Sequence, residues 1–269
     1  KFAIKKSLVM LHPLIERLYG KDPHFIKLKS SGKNELEYYC DECNTVIYKG
    51  TDPFHIDNIK LLELCKEHKN IFPFVYLSMA QSTINNEINF FEENYKDKFY
   101  GIKLHPTMCQ TKMNDIDIKS TMPILVHCGA NNVDSGENVL AYAKNHSNNI
   151  CLAHIARFNK KCLEAIGKSN NLWIDISPTY YLQQVANKEL SKTFINEYSN
   201  FDRIKDLFKM LLDTVGEDKI IFGSDVPFGS FNQISNLIEE LNLRDKTYKK
   251  VFETNFCNFL NIKGEENEK

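Results

Sequence analysis

The chain has 269 residues, of which 42% are hydrophobic and 26% charged, the balance of one large globular domain. Its 34 basic and 35 acidic residues leave a net charge of -1, so it carries no overall electrostatic footprint for nucleic acid. No apolar run approaches the ~20 residues of a membrane span, and the run at 8–11 is too short for the core of a secretory signal.

Residues 6–11 (KSLVML) read as a first strand. Residues 13–53 then break the pattern, too long for an ordinary βα loop. Within them ELEYYC-DE-CNTVIY places two β-prone runs around a tight turn, which predicts a hairpin insertion over 14–53 on the C-terminal face. From residue 54 the pattern is regular. Helical spacing at 54–68 precedes the apolar run 71–79 (IFPFVYLSM), and a helix is predicted at 84–95. The runs 100–105 (YGIKLH), 124–128 (ILVHC), 150–155 (ICLAHI), 172–176 (LWIDI) and 220–223 (IIFG) follow. All suit strands buried on both faces. Helices are predicted between them at 135–147, 159–168, 202–215 and 232–241, with a last one at 244–260.

Strands alternating with helices mean βαβ units and a parallel sheet. Seven such units point to a (β/α)8 TIM-type barrel lacking one strand, forming a single domain over 1–262 with a frayed tail at 263–269. A doubly wound open sheet is the alternative, but no glycine-rich phosphate loop follows any strand.

Catalytic groups of a barrel come from the C-terminal ends of its strands. Here those ends carry Lys103 and His105, then His127, His154 and Asp225. A single strand-end His is ordinarily a hydrogen-bonded core or loop residue, and an Asp there can simply cap the next segment. Three such residues on three strands of a closed barrel would instead converge on a mixed nitrogen and oxygen shell suited to Zn²⁺ or a similar ion. Only four residues are arginine, so Arg157, just past a strand, is a candidate for a substrate carboxylate or phosphate; a rim salt bridge is the alternative. His12, at the end of the first strand seen, is a further candidate for the pocket lining.

The eight cysteines are scattered through apolar segments and read as reduced thiols of a cytoplasmic protein. Cys40 and Cys43 form a single C-x-x-C at the hairpin turn, resembling half a zinc knuckle. A structural zinc there needs two more ligands, for which His24 and Cys65 are arbitrary choices; ordinary thiols and a redox pair are the alternatives.

GIKLHP at 101–106, PILVHCG at 123–129, LAHIAR at 152–157 and IFGSDVPFG at 221–229 resemble the amidohydrolase-related (amidohydrolase 2 type) branch of the metal-dependent hydrolases. The similarity spans 52–262 and includes the closing ETNFCNFLNI. It implies a (β/α)8 barrel holding one or two divalent ions, zinc foremost. It implies that His127 is a metal ligand, that His154 is a ligand or an acid/base group, and that Asp225 is a ligand and takes a proton from attacking water. The family's first strand carries an H-x-H pair, and no H-x-H occurs in this sequence. FAIKKSLVM at 2–10 resembles the family's first-helix end and second strand, so the absent unit is the first, and a longer product is expected.

The function expected is hydrolysis of a carbonyl-centred bond in a small, anionic substrate, with Lys103, His105, Arg157 and His12 lining its site. Neither nucleic acid nor membrane is an expected partner; a homo-oligomer is. Two alternatives stand: a non-oxidative decarboxylase on the same ligands, and a non-catalytic barrel, a binding or scaffold protein, that has lost metal ligands.

Overall fold

The computed structural model describes residues 7–10, 26–30, 36–40, 46–50, 52–177, 203–226 and 231–262. The chain divides into two compact units, one of residues 1–127 and 131–134, the other of residues 128–130 and 135–269.

The first unit opens with strand β1 (Ser7–Met10). The insertion follows as β2 (Ile26–Ser30), β3 (Leu36–Cys40) and β4 (Val46–Gly50), an antiparallel sheet in that order. The expected hairpin is the β3–β4 pair, with Tyr38 opposite Tyr48. The tight turn expected between these strands falls at 41–45, outside the described residues. Strand β2 adds a third member, Ile26 opposite Cys40, from the alternating sequence IKLKS.

Helix α1 (His55–Cys65) then returns the chain to β5 (Ile71–Tyr76). Buried Asn58 stitches the two: its Nδ2 donates to the Tyr76 carbonyl (2.7 Å) and its Oδ1 accepts from the Tyr76 N–H (2.9 Å). Helix α2 (Ile84–Asn94), β6 (Gly101–Leu104), the short helix α3 (Pro106–Cys109) and β7 (Ile124–Val126) complete the unit. Strands β5, β6 and β7 pair in parallel, Phe74 with Gly101 and Ile102 with Ile124.

The second unit runs α4 (Gly136–Ala143), β8 (Ile150–Leu152), α5 (Lys160–Gly167) and β9 (Leu172–Asp175). It continues with α6 (Ile204–Val215), β10 (Ile220–Ile221) and α7 (Phe231–Leu241). The predicted closing helix is α8 (Asp245–Lys249) and α9 (Asn255–Leu260) joined by a π-helical turn, Lys250–Thr254. That turn carries the Val251 carbonyl to the Phe222 N–H (2.9 Å), and buried Asn255 donates to the Ile220 carbonyl (2.8 Å), so the last helix clasps the end of β10.

The parallel sheet has the order β1-β5-β6-β7-β8-β9-β10. Among the described strands the order never reverses, so they show no switch point of a doubly wound sheet. Sequential parallel strands with helices between them are the arrangement of a TIM-type barrel lacking a strand. Strands β6 to β9 are buried at every position, as the apolar runs require, whereas every residue of the terminal strand β1 is half-exposed. Among the described residues no helix is long and apolar enough to cross a membrane.

Candidate functional site

In the first unit, strands β6 and β7 carry their polar groups at the C-terminal ends. Lys103 is buried within β6, and His105 follows it. The His127 N–H donates to the Leu104 carbonyl (3.0 Å), extending the ladder one step past β7. The extension sets the two imidazoles face to face, with centroids 3.7 Å apart and planes at 13°. His105 is also the N-cap of α3: its Nδ1 accepts from the Met108 N–H at 3.4 Å, so in the neutral ring the proton sits on Nε2.

Asp134 completes this group, and sequence reasoning missed it. Its carboxylate is buried, accepts from the Thr107 hydroxyl and from the Asn131 N–H (2.8 Å), and stands 3.8 Å from His127 Nε2. It therefore ties α3 to the loop after β7 beside the His127 ring. Its only sequence signal is a place beside the Ser135 N-cap, which reads as a surface loop.

In the second unit, His154 follows β8 and is buried. Its Nδ1 lies 2.9 Å from the Ser177 carbonyl. A carbonyl only accepts, so Nδ1 carries the proton and Nε2 of the neutral ring presents its lone pair. The His154 N–H donates to Asp175 Oδ1 (2.9 Å), which also accepts from the Ser177 N–H (2.9 Å) and hydroxyl (2.6 Å). Asp175 and Ser177 were likewise missed, because LWIDI reads as plain strand.

His154 opens a left-handed turn. Residues His154, Ile155, Ala156, Arg157 and Phe158 all have φ between 48° and 61°. None is glycine, and at about 1–2 kcal/mol per residue the turn stores on the order of 5–10 kcal/mol. Burial of Ile155, Ala156 and Phe158 and the grip of Asp175 on its first N–H offset that cost. Arg157 is half-buried within the turn. Asp225 is half-buried four residues past β10, also in the left-handed region at φ 53°, which Asp tolerates better than most residues. Gly223 before it permits close approach to β9: a Cβ there would lie 2.9 Å from Ser177 Cβ.

Thus His105 and His127 are brought together within one unit, while His154 and Asp225 belong to the other. His12 and Cys43 lie outside the described residues, and of Cys40 only the backbone, ending β3, is described. Among the described residues no three His, Cys, Asp or Glu side chains stand together as a ready-made metal site. Within the second unit, the carbonyl-anchored tautomer of His154 is the one a metal-binding Nε2 needs, and Asp225 offers a carboxylate, a donor type a divalent ion accepts.

No family model and no curated protein matches the sequence. Solved structures do match the fold. An uncharacterised TIM-barrel protein from Bordetella bronchiseptica superposes with TM-score 0.58 at 11% identity, over 76% of this chain and 72% of that one. A 5-carboxyvanillate decarboxylase from Sphingomonas paucimobilis gives 0.55 at 9% identity, over 77% and 71%. An amidohydrolase from Burkholderia multivorans gives 0.52 at 12% identity, over 77% and 80%. At these identities the likeness establishes the barrel fold, and the proteins sharing it include amidohydrolases and decarboxylases, the kinds anticipated from the strand-end motifs.

Proposed function

We propose that this chain is a cytosolic metal-dependent hydrolase of the amidohydrolase type, acting on a carbonyl-centred bond of a small anionic substrate. His127, His154 and Asp225 would hold a divalent ion, zinc foremost, whose Lewis acidity polarises a carbonyl and brings water towards a pKa near ~7. Asp225 takes the proton of the attacking water. His154 presents a single lone pair at Nε2, which serves either as a ligand to that ion or, left unmetallated, as the base that takes up a proton and then gives it to the leaving group. Lys103 and Arg157 supply positive charge for the substrate's anionic group, and His105 and His12 line its site. Cys40 and Cys43 remain a candidate structural zinc pair, outside this chemistry.

The observation that carries the reading is the state of His154. A buried imidazole at a strand's C-terminal end is held by a backbone carbonyl so that Nε2 presents a lone pair, at the head of a strained turn. Non-oxidative decarboxylation is the second reading, supported by the 5-carboxyvanillate decarboxylase on the same fold. Both are tested by one panel: esters, lactones, amides and aromatic carboxylic acids, with Zn²⁺ or Mn²⁺ and with chelator. Metal-dependent hydrolysis that falls roughly 10²–10⁴-fold in Asp225→Asn supports the first reading. Carbon dioxide release from the aromatic acids alone selects the second. No turnover, no response to metal and no effect of Asp225→Asn would leave a non-catalytic binding barrel.

A further inference from the structure

We propose that Asp175, acting with Ser177, is the positioning residue for His154: it pins the left-handed turn at its first residue and fixes which ring nitrogen of His154 carries the proton. The inference rests on the reading of His154 as an active-site group.

One oxygen does the holding. Asp175 Oδ1 accepts the His154 N–H (2.9 Å), the Ser177 N–H (2.9 Å) and the Ser177 hydroxyl (2.6 Å). The carbonyl of that same Ser177 receives the proton of His154 Nδ1 (2.9 Å). Asp175 therefore grips both ends of the link, the backbone of His154 and the residue whose carbonyl anchors its ring. The Ser177 hydroxyl also lies 3.4 Å from His154 Nδ1; having given its proton to Asp175, it turns lone pairs towards that nitrogen, which again demands a proton there. His154, Asp175 and Ser177 are all buried, so each donor abandoned by Asp175 would lose its acceptor out of reach of bulk water. Three donors on one oxygen make Asp175 a holder of geometry rather than a base. Gly223 belongs to the same device, since a Cβ there would stand 2.9 Å from Ser177 Cβ and 3.3 Å from its hydroxyl oxygen.

The arrangement reads out without activity. In metal-free protein with ¹⁵N-labelled histidine, the ring nitrogens of His154 report which of them carries the proton. Resonances are assigned by their loss in His154→Gln. Wild type should show a single Nδ1–H form. Asp175→Asn should retain it, because an amide oxygen can take the same three donors. Asp175→Ala should show mixed tautomers and, where turnover or metal affinity is measurable, a loss of about 10–100-fold. A single Nδ1–H form in folded Asp175→Ala overturns the proposal, as does an Asp175→Asn protein as perturbed as Asp175→Ala, which would mean that the charge and not the acceptor is needed. Should Asp175→Ala not fold, Gly223→Ala pushes on Ser177, its Cβ 2.9 Å from Ser177 Cβ, while it meets Asp175 Cβ only at an ordinary contact distance of 3.6 Å: loss of the single tautomer supports the proposal and its retention overturns it. Tautomer control by Asp175 in a protein that neither binds metal nor turns over any substrate would uphold this inference and refute the enzymatic reading, so the two fail separately.

Discussion

Replacing Asp52 by alanine should cost a large part of the stability of the fold, although the residue lies outside every candidate site. Its buried carboxylate accepts the Phe54 N–H at Oδ1 (2.8 Å) and both the Ser78 N–H (3.0 Å) and hydroxyl (2.6 Å) at Oδ2. It thereby joins the start of α1 to the segment leaving β5. In Asp52→Ala the hydroxyl can turn elsewhere, but two buried backbone N–H groups lose their acceptor. At about 1–3 kcal/mol for each abandoned donor, the loss is about 2–6 kcal/mol, out of a total of about 5–15 for an ordinary domain. Equilibrium urea unfolding followed by far-UV circular dichroism measures it, and a change below about 1 kcal/mol would refute the reasoning. The carboxyl has a second signature. Burial pushes its pKa above the ordinary 3.8, against the opposing hydrogen bonds from Ser78 and Phe54 and the charge of His55. Burial, then the charge of Asp52, raises Glu87 above 4.5 in the same way, opposed by its 2.5 Å contact with His55 Nδ1. Both groups bind protons more tightly folded than unfolded. The stability they confer is full below the unfolded values and is lost as pH rises through the folded ones. Unfolding free energy should therefore decline as pH rises from about 4, and Glu87→Gln should flatten that decline; an unchanged slope would contradict the assignment.

Two further perturbations test the packing. Gly101→Ala should lower the melting temperature, since a Cβ there would stand 2.5 Å from Phe74 Cε2 and 2.6 Å from the Pro123 carbonyl, an overpacking worth about 1–3 kcal/mol; an unaltered midpoint would contradict the spacing of β5 and β6. Cys162, whose thiol is pushed up to about 12, first by burial and then by the charge of Glu137, should resist alkylation in the native protein and react once it is denatured, as mass spectrometry would show; rapid native labelling would contradict its burial.

The strands were legible because burial on both faces leaves uninterrupted apolar runs, and the polar residue closing each run marked His105, His127 and His154. Other features depend on contacts that no local pattern encodes. Asp175 ends an apolar strand and matters only because Ser177 and the His154 N–H meet at one of its oxygens. Asp134 looks like a loop residue until Thr107 and Asn131 converge on it. The turn at His154–Phe158 contains no glycine, the usual mark of positive φ, so its handedness is set by burial and by Asp175 rather than by residue type. Strand β2 is short and alternates with lysine, and its pairing with β3 is a tertiary choice. The π-turn in the closing helix likewise answers to the Phe222 N–H, a partner distant in sequence.

Whether this chain is a metalloenzyme is decided most directly by equilibrium dialysis of the wild-type protein against Zn²⁺ or Mn²⁺, with His127→Ala, His154→Ala and Asp225→Ala in parallel. The wild type should bind about one divalent ion per chain saturably, and each substitution should weaken that binding. Thermal or urea stability should rise with the metal by linkage, by about 2.7 kcal/mol when the free ion stands at 100 times its dissociation constant, and the gain should shrink in the variants. No binding by the wild type, or binding indifferent to all three substitutions in proteins that still fold, would contradict the assignment of His127, His154 and Asp225 as the metal site.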